Sequence, residues 1–162
     1  MNKKIILIVL ALNICFTVFS QQDNKTGIAP FKITLLNGKS YSYNQIKKNT
    51  ETVLIYFSPT CDHCKDFTSE LLKHENALKD KQIIMVTYVP VEEIKPFDSL
   101  YHISAKPNFK IGTEGYSFIV RKYYNVERFP YIVIYNKQMK LVKKLSPTEQ
   151  PEVLAREIVS VK

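Results

Sequence analysis

The chain of 162 residues carries 23 lysines and arginines against 15 aspartates and glutamates, a net charge of +8, with ten tyrosines, no tryptophan and three cysteines. That length can bury a core without covalent staples, and so few cysteines exclude a disulfide-stapled scaffold. The positive charge is spread along the chain without a dense basic block, which argues for a solvated surface with weak attraction to anionic lipid heads and against nucleic-acid binding.

The N-terminus has the layout of a secretory signal peptide over residues 1–20. A basic Met1-Asn2-Lys3-Lys4 precedes an apolar stretch from Ile5 to Phe19, interrupted by Asn13 and Thr17. Val18-Phe19-Ser20 then offers modest side chains before the polar Gln21-Gln22-Asp23. The apolar run is short for a membrane span, which needs about 20 residues. An uncleaved anchor is one alternative and a lipid-modified Cys15 another, although Leu12-Asn13-Ile14 lack the small residues a lipoprotein signal places there. Without residues 1–20 the chain keeps 21 basic and 15 acidic residues, and Cys61 and Cys64 are its only thiols. Export makes nucleic acid an implausible partner.

Residues 21–30 read as a polar linker and 31–162 as one α/β domain. Phe31 to Leu35 alternates apolar and polar residues, as a half-buried strand does, and Asn37-Gly38 signals a hairpin with Tyr41 and Tyr43 on the return strand. Val53 to Phe57 is continuously apolar and suits a strand covered on both faces. From Asp62 to Lys79 the pattern is helical, with Cys64, Phe67, Leu71, His74 and Leu78 on one stripe. Ile83 to Val89 is a further buried strand, so strand, helix and strand predict a parallel pair with a right-handed crossover. The long connection from Val91 to Val126 offers helices over 92–102 and 116–124, and between them lie Lys106-Pro107-Asn108-Phe109 and the loop Gly112-Thr113-Glu114-Gly115. Tyr131 to Tyr135 is a third buried strand, and Met139 to Leu145 returns antiparallel after the Asn136-Lys137-Gln138 turn. A final helix begins at Pro151, with Leu154, Ile158 and Val161 inward. No internal repeat is visible.

The most informative junction is the strand at Val53, the turn Ser58-Pro59-Thr60, and Cys61-Asp62-His63-Cys64 opening a helix. A thiol at a helix start faces the helix's positive end, where the field favours thiolate. A second thiol three residues on can close a disulfide with it. A purely structural disulfide over so short a loop contributes little. Half of a zinc site is the other plain reading, but zinc takes four ligands, and His74 and His102 are isolated in sequence. No metal and no cofactor is expected. His74 reads as a helix residue at the core edge and His102 as a turn residue. The tyrosines, Tyr56 and Tyr88 included, read as core rims and cross-strand pairs.

A strand entering Cys-x-x-Cys at a helix start resembles the thioredoxin fold. A second match is Tyr124-Asn125-Val126-Glu127-Arg128-Phe129-Pro130 before the strand at Tyr131, where thioredoxin-like proteins carry a cis-proline ahead of a β-hairpin. With the Asn37-Gly38 hairpin and the long middle connection, the chain from Phe31 onward looks like the exported TlpA/ResA-type thiol-disulfide oxidoreductases. The resemblance implies a central mixed sheet flanked by helices, an added N-terminal β-hairpin and a helical insertion in the middle connection. It implies Cys61 as nucleophile and Cys64 as resolving thiol, with Phe129 and a cis-Pro130 turned toward a substrate chain that pairs like an added strand. It also implies cysteine-containing exported proteins as substrates and a membrane or periplasmic thiol as electron donor.

The chain departs from that pattern in several places. Thr60 stands where the family has tryptophan, and Ile55 where thioredoxin has a buried aspartate. Phe67 replaces the ResA-type glutamate, with Asp66 directed elsewhere, and Phe129 is bulkier than the usual threonine or valine. The base assisting Cys64 is therefore unidentified. His63 between the cysteines resembles the disulfide isomerases and DsbA-type oxidases and favours the Cys61 thiolate, whereas Asp62 opposes it. The expected reduction potential is about −250 to −150 mV. A reductase is the leading reading. A DsbA-like oxidase or isomerase is its rival within the enzyme class, and a non-catalytic binding module or metallochaperone its rival outside it. The copper-delivery relatives use a longer Cys-x-x-x-Cys and a distal histidine, a spacing absent here.

Overall fold

The computed structural model describes residues 27–161. The signal-peptide layout, Cys15 and residues 21–26 of the linker lie outside the described residues. The N-terminal hairpin forms as expected, with β1 (Lys32–Leu35) and β2 (Ser40–Ser42) antiparallel. Gly38 takes the left-handed conformation, φ +77°, that this turn needs and that glycine adopts without steric cost. Tyr41 is buried on β2, while Tyr43 falls in the following 3₁₀ turn and is exposed.

Next come β3 (Glu51–Tyr56), α1 (Asp62–Lys73) and β4 (Lys81–Thr87). They are followed by α2 (Val91–Tyr101), β5 (Phe109–Thr113) and α3 (Ile119–Tyr124). The chain ends with β6 (Tyr131–Tyr135), β7 (Leu141–Leu145) and α4 (Pro151–Ser160). The seven strands among the described residues form one mixed sheet in the order β2-β1-β5-β4-β3-β6-β7. The expected parallel pairing of β3 with β4 is present, and β6 flanks β3 antiparallel.

Side chains alternate across the pleat, so neighbours along β3 enter different layers. Val53, Ile55 and Phe57 pack with Cys64, Phe67 and Leu71 of α1, Phe97 of α2 and Leu154 of α4. Leu54 and Tyr56 pack on the other face with Phe31 and Ile33 of the hairpin and Val120 and Tyr124 of α3. Burial on both faces explains the continuous apolar runs of β3 and β4, and each fully buried large side chain contributes about 1.5–3 kcal/mol of transfer free energy. At the end of the sheet away from the cysteines, Lys81 pairs with Glu51 across β3 and β4 and donates to the Val161 carbonyl, which ties down the end of α4.

Three further expectations need correction. The stretch between the two helices of the middle connection, expected to hold the loop Gly112-Thr113-Glu114-Gly115, contains β5, a central strand parallel to β4 and antiparallel to β1. Gly112 hides it from a sequence reading but is required there, because a Cβ would lie 2.5 Å from the Thr34 carbonyl oxygen of β1. The helix expected to reach Lys79 stops at Lys73, and His74 is its C-cap. Leu78 still reaches the core through a 3₁₀ turn, and its carbonyl and that of Lys81 at the start of β4 accept from Asn108 Nδ2 at 2.9 and 3.2 Å. The helix expected over 116–124 begins only at Ile119, because Phe118 is left-handed at φ 49° and the buried Glu114 carboxylate accepts the Val120 N–H at 2.7 Å.

Candidate active site

Beyond Tyr56 the chain continues β3 for one more bond, Phe57 N–H to the Val86 carbonyl at 3.0 Å, and then turns through Ser58-Pro59-Thr60. Cys61 N–H donates to the Ser58 carbonyl at 3.2 Å. Its own carbonyl accepts from Cys64 N–H at 3.0 Å and Lys65 N–H at 3.1 Å. Cys61 is thus the N-cap of α1, in extended geometry at φ −78° and ψ 121°, at the positive end of the helix dipole. Both cysteines are free thiols. Cys61 is partly exposed, whereas Cys64 is 1 % exposed one turn below it. That asymmetry lets an incoming disulfide reach one sulfur only.

From the far end of the sequence, the Phe129 carbonyl lies 3.8 Å from Cys61 Sγ, and the Phe129–Pro130 peptide bond is cis. The structure therefore brings Cys61, Cys64, Phe129 and Pro130 together. Among the described residues the Phe129 N–H has no acceptor. Its ring sits between Tyr56 and Tyr88, at centroid distances of 5.8 and 6.3 Å.

Burial pushes the Cys64 thiol well above the usual cysteine range. A backbone hydrogen bond from Ser58 lowers it in part, and the Cys61 sulfur raises it further. Among the described residues no carboxylate acts on it. Ile55 and Phe67, at the positions where relatives place acids, are buried in the apolar layer, and Asp66 is exposed. Glu114 is buried but belongs to the opposite face, where it acts on the Tyr56 hydroxyl; burial first and Glu114 second drive that phenol far above its ordinary value. Among the described residues no acceptor or donor lies within hydrogen-bonding distance of the Tyr56 hydroxyl.

His63 and Asp62 are both exposed. The Asp62 carboxylate is turned to Lys65 at 2.9 Å, and that bond lowers its pKa. Part of its repulsion of the Cys61 sulfur is thereby neutralised. Lys65 also feels the charge of Cys61, and the sequence reading missed it; its position one turn after Cys61 was the available signal. Also missed was Arg121, whose guanidinium lies 5.7, 5.8 and 6.0 Å from the ring centroids of Tyr88, Phe129 and Phe118. Nothing local marks that cluster, because its members come from three separate segments. His74 and His102 stand apart from the cysteines. No group of three or more His, Cys, Asp or Glu side chains among the described residues could hold a metal ion. No helix among the described residues is long and apolar enough to cross a membrane.

Residues 32–123 match the family model for thioredoxin, and the chain belongs to that family. Its fold is similar to that of a secreted disulfide oxidoreductase of Mycobacterium tuberculosis, with TM-score 0.67 and 19 % identity over 82 % of this chain and 96 % of that one. It is also similar to the thioredoxin domain of a Bacteroides vulgatus thiol-disulfide oxidoreductase, with TM-score 0.63 and 22 % identity over 83 % and 98 % of the two chains. A third similar structure is the exposed lipoprotein thioredoxin of Streptococcus pneumoniae, with TM-score 0.58 and 16 % identity over 81 % and 98 %. No curated protein matches the chain significantly.

Proposed function

We propose that this chain is an exported TlpA/ResA-type thiol-disulfide oxidoreductase that reduces or exchanges disulfides in other exported proteins, with Cys61 as nucleophile and Cys64 as resolving thiol. The observation that carries the reading is the pair itself: a partly exposed Cys61 at the N-cap of α1 above a buried Cys64, with the Phe129 carbonyl 3.8 Å from the outer sulfur. Export rests on the layout of residues 1–20, with 21–30 as linker and 31–162 as the working domain.

In the first step the Cys61 thiolate attacks one sulfur of the substrate disulfide. That bond breaks, a mixed disulfide forms on Cys61, and the departing substrate thiolate takes a proton from water. A substrate strand running past Phe129 offers its carbonyl to the unpaired Phe129 N–H, which holds the disulfide in line with Cys61. Cys64 then loses its proton and attacks Cys61 Sγ. The Cys61–Cys64 disulfide closes, and the second substrate thiolate leaves and is protonated. The substrate gains two electrons and two protons, and an external membrane or periplasmic thiol restores the dithiol. The exchange passes between sulfurs and uses no cofactor.

The second step should show the pH signature of its buried acid. Because the Cys64 pKa is raised, the reactive thiolate is a small fraction at neutral pH and grows about tenfold per pH unit. Resolution of a preformed mixed disulfide, followed by rapid acid quench, should therefore accelerate about tenfold per unit from pH 6 to 8.5. A plateau below pH 8 would show a proton acceptor beside Cys64.

A reductase fits the layout best. The histidine between the cysteines supports the oxidase or isomerase as second reading. Equilibration with defined glutathione ratios decides between them. The expected potential is about −250 to −150 mV, and a value above about −150 mV overturns the reductase direction.

A further inference from the structure

Arg121 and Lys122 take no part in the sulfur exchange, yet they sit beside it. With Phe118, Asn125 and Val126 they line an open groove of about 290 Å³. The groove is joined to the cysteines through Phe129, whose ring lies 5.8 Å from the Arg121 guanidinium and whose carbonyl faces Cys61 Sγ. Arg121 Nε donates to the Val126 carbonyl at 3.3 Å, which fixes the guanidinium over the rings. No carboxylate among the described residues is within ion-pair distance of Arg121 or Lys122. The nearby acids are otherwise engaged: Glu114 accepts backbone N–H groups of Val120 and Arg121, and Glu127 accepts from Asn125 Nδ2 at 3.4 Å. Tyr116, 83 % exposed, stands edge-on to the lining residue Phe118. A half-buried cation held on aromatic faces, a second exposed cation and no acidic partner make a site complementary to a carboxylate.

We propose that this groove binds an acidic side chain of the substrate polypeptide lying close in sequence to its reactive cysteine, so that the protein prefers disulfides with acidic flanks. The assignment of the occupant as substrate rests on the oxidoreductase reading. A chain that runs past Phe129 from Cys61 enters the groove directly, and aromatic packing around Arg121 lowers the local polarity and strengthens the pairing.

Two peptides test this, each with one internal disulfide, flanked by glutamates in one and by lysines in the other. Serine-for-cysteine versions report affinity without the redox step. The wild type at low salt should favour the glutamate peptide by about five- to tenfold, both in kcat/KM and in affinity. The gap should narrow at high salt. Arg121→Gln and the exposed Lys122→Glu should each narrow it, while Arg121→Lys retains most of it. Equal treatment of the two peptides by the wild type, or a gap unchanged in both charge-altering variants, overturns the proposal. Equal treatment together with binding to vesicles of anionic lipid, weakened by Lys122→Glu, would overturn it in favour of a lipid surface. If 2-hydroxyethyl disulfide is not reduced while the serine peptides keep their gap, the groove stands and the oxidoreductase reading fails.

Discussion

Cys61→Ser is expected to reduce no disulfide, with insulin reduction falling at least about a thousandfold, because a hydroxyl is a far weaker nucleophile than a thiolate near neutral pH. Cys64→Ser should behave differently. Its Cys61 remains the partly exposed thiol at the helix N-cap and still attacks, but nothing below it resolves the product. The mixed disulfide should then persist, visible as a shifted band on a non-reducing gel and as the mass of protein plus partner. Material trapped from an exported fraction would identify the natural substrates. Full turnover by Cys61→Ser, or turnover by Cys64→Ser as fast as by wild type, would place the reactive sulfur elsewhere. Neither substitution should disturb the fold at Cys61, whose side chain makes no cap hydrogen bond. Cys64 is packed among Phe57, Phe67 and their neighbours, so its serine variant should lose some stability by burying a hydroxyl there.

Gly112→Val is expected to be the most disruptive single change in the sheet. A Cβ at that position would lie 2.5 Å from the Thr34 oxygen and 3.0 Å from the Thr34 carbonyl carbon. Both are backbone atoms of a strand paired with β5, so relief requires prising β1 and its hairpin away from the sheet. The hairpin carries Phe31, Ile33 and Tyr41 into the second layer, and that packing would be lost with it. A loss of about 3 kcal/mol or more is expected, read from urea unfolding monitored by tyrosine fluorescence or circular dichroism. Gly112→Ala should be milder but still clearly destabilising. A wild-type midpoint for either variant would mean that β1 does not pair with β5 in solution.

These two positions also mark what could and could not be read along the chain. Cys61 and Cys64 were legible because their chemistry is local: an apolar run, a turn with proline, two thiols three apart and an apolar stripe lie within one short stretch. Pro130 was legible because the segment before it and the hairpin after it are contiguous. β5 was not. Five residues interrupted by Lys110 and Gly112 have no strand signature of their own, and they become a strand because β4 and β1 supply hydrogen-bond partners on both edges. The premature end of α1 was hidden for a related reason. The apolar spacing runs on through Leu78, but Asn108, 30 positions away, holds the Leu78 carbonyl in a tighter turn.

By itself the sequence determined the α/β class, the hairpin, the parallel β3–β4 pair and the two thiols at a helix start, since each follows from short-range periodicity, turn chemistry or spacing. Only the tertiary structure decided what surrounds those thiols. Phe129 meets Cys61 across 68 positions. Glu114 lies on the face away from Cys64, so among the described residues no carboxylate serves that sulfur, and Arg121 is stacked on rings from three different segments. Contacts of that kind depend on strand order and on which side of the pleat each residue enters. Neither is encoded in any one stretch of chain, because both arise when the whole sheet closes around its two cores.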